Sequence, residues 1–158
     1  IRKLPPYFSN VGKRLVKSPK VYFRDTGRLH FFLGIHSASM LDVHPARGMI
    51  WEAFIIDQII SAFHRTTPGS QWFFWRTSQG DEVDLLVDVG ERRVPFEIKL
   101  YSTPGVQERE GLRRCMRDLG LKRGYLLYPG RQIYSLGEGV TALPAEKILS
   151  RPQDIAQL

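Results

Sequence analysis

A chain of 158 residues with 42% apolar and 25% charged side chains has the balance of an ordinary globular domain and can bury a sizeable core. A single cysteine, Cys115, excludes an internal disulfide and a cysteine-based zinc cluster, and no apolar run reaches the ~18 residues of a membrane-spanning helix. The net charge of +7 is unevenly spread: residues 1–47 hold nine Lys/Arg against two acids, residues 48–99 five against eight, and residues 100–158 nine against six. An acidic centre suits a cation and basic flanks suit a polyanion, although a solvated surface with a basic linker accounts for charge alone equally well.

Residues 1–47 read as a basic connector. The opening residues resemble mid-domain text, without a start methionine or a signal-peptide pattern, so a piece of a longer soluble, cytoplasmic protein is expected. "LPPYFSNVGKRLVKSPK" is interrupted by proline and predicts an extended arm with a short helix around Val11 to Val16. "KVYFRDTG" predicts a strand over Val21 to Phe23 closed by a turn, and "RLHFFLG" a short helix ending at Gly34. A loop or helical turn then runs to Pro45.

Residues 48–158 carry the main domain. "GMIWEAFIIDQIISAFHR" is helical in length and propensity, with Pro45 ahead of it and Pro68-Gly69 beyond it. Its 3.6-residue period places Glu52 on one face with Met49, Ile55, Ile56, Ile59 and Phe63, and turns Asp57 outward with Ser61 and His64. "QWFFWR", "VDLLVDV" and "VPFEIKL" predict three strands joined by turns, with Pro95 fitting an edge or entry position. A helix over Val106 to Leu119 ended by Gly120, a strand in "RGYLLYPG" and one or two further short strands follow. The strand, helix, strand passage from Val94 to Tyr128 is a crossover, so an α/β fold is expected: a mixed central sheet flanked by helices.

Two of these strands carry carboxylates where apolar residues belong. Strand alternation places Asp84, Glu97 and Lys99 on one face together with Leu86, and the helix bearing Glu52 is the natural cover for that face. Two carboxylates and a strand carbonyl form a hard, oxygen-only set suited to Mg²⁺ or Mn²⁺, and a neighbouring lysine stabilises negative charge on a phosphoryl group.

The order of Glu52, Asp84 in "EVD", and Glu97 and Lys99 in "FEIK" resembles the PD-(D/E)XK nuclease superfamily, the fold of restriction endonucleases, whose core runs helix, three strands, helix, strand. More narrowly, "KSPKVYFRDTG", "GMIWEAFI", "WRTSQGDEVDLLV" and "FEIKLYS" together look like the uncharacterised domain at the C-terminus of a family of bacterial and archaeal AAA-type ATPases. This resemblance spans nearly all of the chain. It implies metal ligation by Asp84, Glu97 and the Ile98 carbonyl, a supporting or second-metal role for Glu52, and the catalytic lysine position for Lys99. It also implies DNA as partner and an ATPase region upstream in the longer protein. Val83 stands where the superfamily name has proline, and no Gly-rich phosphate loop with Lys-Ser/Thr occurs, so ATP hydrolysis by this piece is not expected.

Three alternatives accompany this expectation. Members of the superfamily often keep the fold and lose catalysis, leaving a silent module that binds nucleic acid or protein. A structural ion pair between Glu52 and Arg76 also accounts for the helix carboxylate. Third, the domain could serve only in oligomerisation. His30, His36, His44 and His64 lack metal-ligand spacing and read as loop or surface residues. Arg113, Arg114 and Arg117 read as a solvated helix face or a phosphate contact, and the "WFFW" aromatics as core.

Overall fold

The computed structural model describes residues 1–7, 18–90 and 92–150. The expected helix around Val11 to Val16 lies outside them. Strand β1 (Arg2–Leu4) pairs antiparallel with β2 (Lys20–Tyr22), with Arg2 opposite Tyr22 and Leu4 opposite Lys20. Helix α1 (Thr26–Phe32) starts where the Asp25 carboxylate accepts from the Arg28 N–H at 3.0 Å. Helix α2 (Ala38–Val43) is capped in the same way by Ser37.

The long helix α3 (Arg47–Thr66) leads into strands β3 (Gln71–Arg76), β4 (Glu82–Asp88) and β5 (Arg93–Ile98), which form an antiparallel meander. A 3-10 turn (Gln107–Arg109) and helix α4 (Glu110–Leu119) cross over to β6 (Gly124–Tyr128), which pairs parallel with β5. Strand β7 (Tyr134–Gly137) turns back into β8 (Val140–Pro144), and helix α5 (Ala145–Ser150) follows. The six-stranded mixed sheet has the order β3-β4-β5-β6-β8-β7, so the fold is α/β with helices on the sheet. Among the described residues, no helix is long and apolar enough to cross a membrane.

Two apolar layers hold the sheet between the helices. On one side Ile55, Ile56, Ile59 and Phe63 of α3 pack with Leu85, Val87, Phe96 and Ile98, and Leu4 and Tyr22 join the same cluster. On the other, Leu112, Cys115 and Met116 of α4 meet Trp75, Val83, Leu126, Val140 and Ala142. Val83 and Leu85 are two apart yet belong to opposite layers. The register explains this: Phe73 pairs with Leu86 but Trp75 with Val83, so Asp84 and Leu85 both stand opposite Phe74 in a β-bulge.

That bulge corrects the expected common face. Helix α3 covers Leu85, Val87, Phe96 and Ile98, not a face shared by Asp84, Leu86, Glu97 and Lys99. Strict alternation fails because one extra residue on β4 resets the parity. Met49 is 58% exposed and so leaves the apolar face of α3. Asp57 is not a solvated stripe residue, since its carboxylate accepts from Arg2 Nη2 at 2.6 Å and helps fix β1 against α3. Pro95 lies in an interior strand, but it precedes Phe96, the first β5 residue paired with β6, where its missing N–H interrupts no β5–β6 bond. His30 is half-buried on α1 rather than a surface residue; with Leu41, Trp51, Phe54 and Leu100 it lines a cavity of about 390 Å³.

Gly111, in the first turn of α4, lets the helix approach the start of β4: a Cβ there would lie 2.6 Å from the Glu82 carbonyl oxygen. Helix propensity favours alanine over glycine by about 1 kcal/mol, whereas overpacking costs about 1–3 kcal/mol. Gly111→Ala should therefore lower the urea midpoint. A midpoint at or above that of the wild type would show that α4 can shift off β4 without cost.

Candidate active site

The β4–β5 ladder runs from Asp88 opposite Arg93 to Leu85 opposite Phe96 and is not continued beyond that pair. At its end the Ile98 N–H donates to Asp84 Oδ2 at 2.9 Å, so a carboxylate takes the place of a strand carbonyl. The Lys99 N–H donates to the Leu127 carbonyl at 2.9 Å and holds the chain against β6 past the end of β5. This anchor places the Lys99 ammonium 2.6 Å from Glu97 Oε1. Asp84 and Glu97 are each only 7% exposed, and Glu97 Oε2 is buried without a hydrogen-bond partner.

The third carboxylate enters from α3. Glu52 Oε1 accepts from the Tyr22 hydroxyl at 2.6 Å and stands 3.4 Å from Lys20 Nζ. The same ammonium is 3.4 Å from Asp84 Oδ1 and pairs with Glu82. Lys20 and Tyr22 are two apart on β2, and both reach Glu52 across the same side of that strand. The expected Glu52–Arg76 bridge is absent: Arg76 pairs with Glu82, while Lys20 and Tyr22 serve Glu52.

The structure thus gathers Asp84, Glu97 and Lys99 at the ladder end and ties Glu52 to them through Lys20. Ile98 contributes its N–H. Lys20, Tyr22 and Glu82 are members that pattern reading missed. The visible signals were the alternation of Lys20 with Tyr22 and of Glu82 with Asp84, but partnership across such sequence distances cannot be read from spacing. Among the described residues, no group of three or more His, Cys, Asp and Glu is arranged to hold a metal ion.

Residues 47–148 match the family described as Domain of unknown function (DUF4143). The chain belongs to this family. DUF4143 domains occur in proteins associated with AAA-type ATPases. Residues 1–39 of the chain also match a second domain of unknown function, DUF8612. Uncharacterised proteins of Mycobacterium tuberculosis and Mycobacterium bovis are each 41% identical to the chain over 150 residues, covering 95% of it and 33% of their own length. The chain therefore spans about a third of the curated relatives it matches.

Within this DUF4143 domain the electrostatics follow from crowding. Burial raises the Asp84 pKa to about 6, with the Glu52 charge adding to the rise and Lys20, the Ile98 N–H and Lys99 opposing it. Burial also raises Glu97, to about 8, helped by the Asp84 charge and resisted by Lys99. Burial alone would lower both lysines, but the charges of Asp84, Glu52 and Glu82 around Lys20, and of Glu97, Asp84 and Glu52 around Lys99, outweigh it and raise both. Burial and the Glu52 charge push the Tyr22 hydroxyl up, so it remains a donor. The Cys115 thiol is pushed up by burial and stays neutral.

An acid whose pKa is raised on folding holds its proton longer in the folded state, so its favourable contribution is complete below the unfolded value and lost as pH climbs through the folded one. For Asp84 that window runs from 3.8 to about 6 and for Glu97 from 4.5 to about 8. The melting temperature of the metal-free protein should accordingly rise as pH falls from about 9 to about 5. Glu97→Gln should flatten the upper half of that curve and raise the melting temperature at about pH 8. Differential scanning calorimetry across pH tests this, and an unchanged slope in the variant would show that Glu97 is ionised without penalty.

Proposed function

We propose that this domain is a Mg²⁺- or Mn²⁺-dependent phosphodiesterase acting on DNA, built on a PD-(D/E)XK, restriction-endonuclease-like core and serving as the C-terminal module of an AAA-type ATPase. The observation that carries this reading is the buried pair Asp84 and Glu97 at the end of a strand ladder, with Lys99 at 2.6 Å from Glu97 and a Glu97 oxygen that has no partner. The order of α3, β3, β4, β5, α4 and β6 supports the fold assignment.

The donor chemistry fits a hard divalent cation. Asp84 Oδ1 and the orphaned Glu97 Oε2 are carboxylate oxygens without a short hydrogen bond, and the Ile98 carbonyl would add a third oxygen to the set. When bound, such an ion polarises a phosphoryl oxygen and makes a water more acidic. Asp84 is oriented for this task by the Ile98 N–H. Lys99 holds positive charge beside Glu97, where it stabilises negative charge developing on the phosphate. Tyr22 orients Glu52 for a supporting role, and the buried surroundings strengthen each of these interactions by excluding water.

One observation favours a second reading, a catalytically silent module that binds nucleic acid or protein for its ATPase. Lys20 stands among Glu52, Glu82 and Asp84 and offsets part of their charge without a metal, with Arg76 also paired to Glu82. Under the catalytic reading the Lys20 ammonium has to share these oxygens with an ion.

Nicking of plasmid or single-stranded DNA in Mg²⁺ or Mn²⁺ should fall by at least ~10²-fold in Asp84→Ala and in Lys99→Ala. Equal activity in both variants would overturn the catalytic reading. Calorimetry with Mn²⁺ separates the two readings, since uptake abolished by Glu97→Gln supports catalysis and absence of uptake supports the silent module.

A further inference from the structure

A second charged feature lies at the opposite end of β5. A cleft of about 500 Å³ is lined by Arg92, Arg93, Lys122 and Arg123, with Val94 and Leu121 among the apolar residues at its base. Among the described residues that line it, none is acidic. The fold accounts for the convergence. Strands β5 and β6 run parallel, so their N-terminal ends, Arg93 and Gly124, open on the same edge of the sheet. Gly120, with φ of 67°, ends α4 in the left-handed conformation and turns the chain so that Lys122 and Arg123 approach that edge. Gly139 packs tightly on the Lys122 backbone and fixes the loop from the other side, since a Cβ at Gly139 would collide with the Lys122 carbonyl.

Two charges of this cleft, Lys122 and Arg123, differ from Arg113 and Arg114 of α4. Arg113 is matched by Glu110 and Glu138, and Arg114 by Asp81. Arg93 is matched by Asp88 at 2.9 Å. Lys122 and Arg123 are exposed and have no acidic partner among the described residues. Lys122 and Arg123 follow a helix C-terminus and complement its dipole, and Arg92 and Arg93, at the start of β5, add their charge to the same cleft from a separate element.

We propose that this cleft binds the phosphates of a nucleic-acid backbone. Guanidinium groups match phosphate oxygens in pairs, and ammonium groups add point charge. A compact triphosphate is held by backbone N–H groups at a helix N-terminus, whereas here the helix presents its carbonyl end. Side-chain charges spread over two loops suit phosphates spaced along a strand instead. From Arg93 to Ile98 the strand rises roughly 16 Å, so the cleft is separated from the acidic cluster by about five base-pair steps of a duplex. The site shares its nucleic-acid substrate with the proposed function but uses none of its catalytic residues and needs no metal.

The test is fluorescence anisotropy with a fluorescein-labelled single-stranded oligonucleotide in EDTA, across a salt series, with the full chain. The double reversal Lys122→Glu and Arg123→Glu should weaken binding at least ~10-fold and make the log K against log salt slope shallower by about 1 to 2. Reversal of Arg28 and Arg47 to Glu changes net charge equally, away from the cleft, and should weaken binding less than ~3-fold. Equal losses in the two double variants, or none in either, would overturn the proposal. Displacement of the oligonucleotide by inorganic triphosphate at equal phosphate concentration would overturn it in favour of a free polyphosphate. Asp84→Asn with Glu97→Gln should bind like the wild type in EDTA, so retained cleft binding together with cleavage that persists in this variant, or that the wild type itself lacks, would strike only the catalytic reading. Matching melting temperatures confirm that the surface variants are folded.

Discussion

The hydrogen bond from the Ile98 N–H to the Asp84 carboxylate is the point at which a strand ladder becomes a chemical site. Two neighbouring strands normally satisfy each other's backbone; here the pairing stops after Leu85 and Phe96, and a side chain meets the next donor. An unpaired buried carboxylate costs several kcal/mol, so this substitution is tolerable only because the acceptor remains bonded and cations stand close by. The bulge opposite Phe74 makes it feasible, since the extra residue on β4 swings Asp84 out of strict alternation. Glu97 is then buried beside Asp84 with one oxygen on Lys99 and the other without a hydrogen-bond partner; burial and the Asp84 charge hold its proton above the ordinary carboxylate range, against the opposing charge of Lys99.

Charge is partly offset locally, by different cations for different acids. Lys99 serves Glu97 from two positions further along the same segment, whereas Lys20 reaches Glu52, Glu82 and Asp84 from a two-stranded ribbon outside the main sheet. That ribbon is held in place by apolar packing of Leu4 and Tyr22 into the α3 core and by the Arg2–Asp57 pair. The cluster thus depends on an element whose own interstrand bonding is three residue pairs long. Its position is set by what it packs against.

Much of the architecture was legible because periodicity and turn chemistry agreed. The α3 helix, the meander β3-β4-β5, the α4 crossover with its stop at Gly120 and the parallel β6 all sit within a residue or a few of their expected positions. Asp84, Glu97 and Lys99 were legible as candidates because charges inside apolar strands demand explanation. What escaped has physical causes. A bulge is a one-residue insertion with no distinct composition, so the face assignment built on Leu86 failed. The partners of Glu52 lie thirty or more positions away on a three-residue strand, where alternation has too few residues to register. Asp57 looked solvated because its helix position is polar, yet Arg2 claims it from the other end of the ribbon. The helix α5 follows β8 directly and is less than two turns long, too short for a periodic signal.

The ribbon also bears on where this unit can be cut. The DUF4143 match begins at residue 47, downstream of Leu4, Lys20 and Tyr22. A polypeptide trimmed at that boundary would keep Glu52, Glu82 and Asp84 but discard the ammonium that lies among them and the hydroxyl that holds Glu52, while stripping two plugs from the apolar layer. The physical unit that holds the acidic cluster is therefore longer than the matched block and includes Leu4, Lys20 and Tyr22.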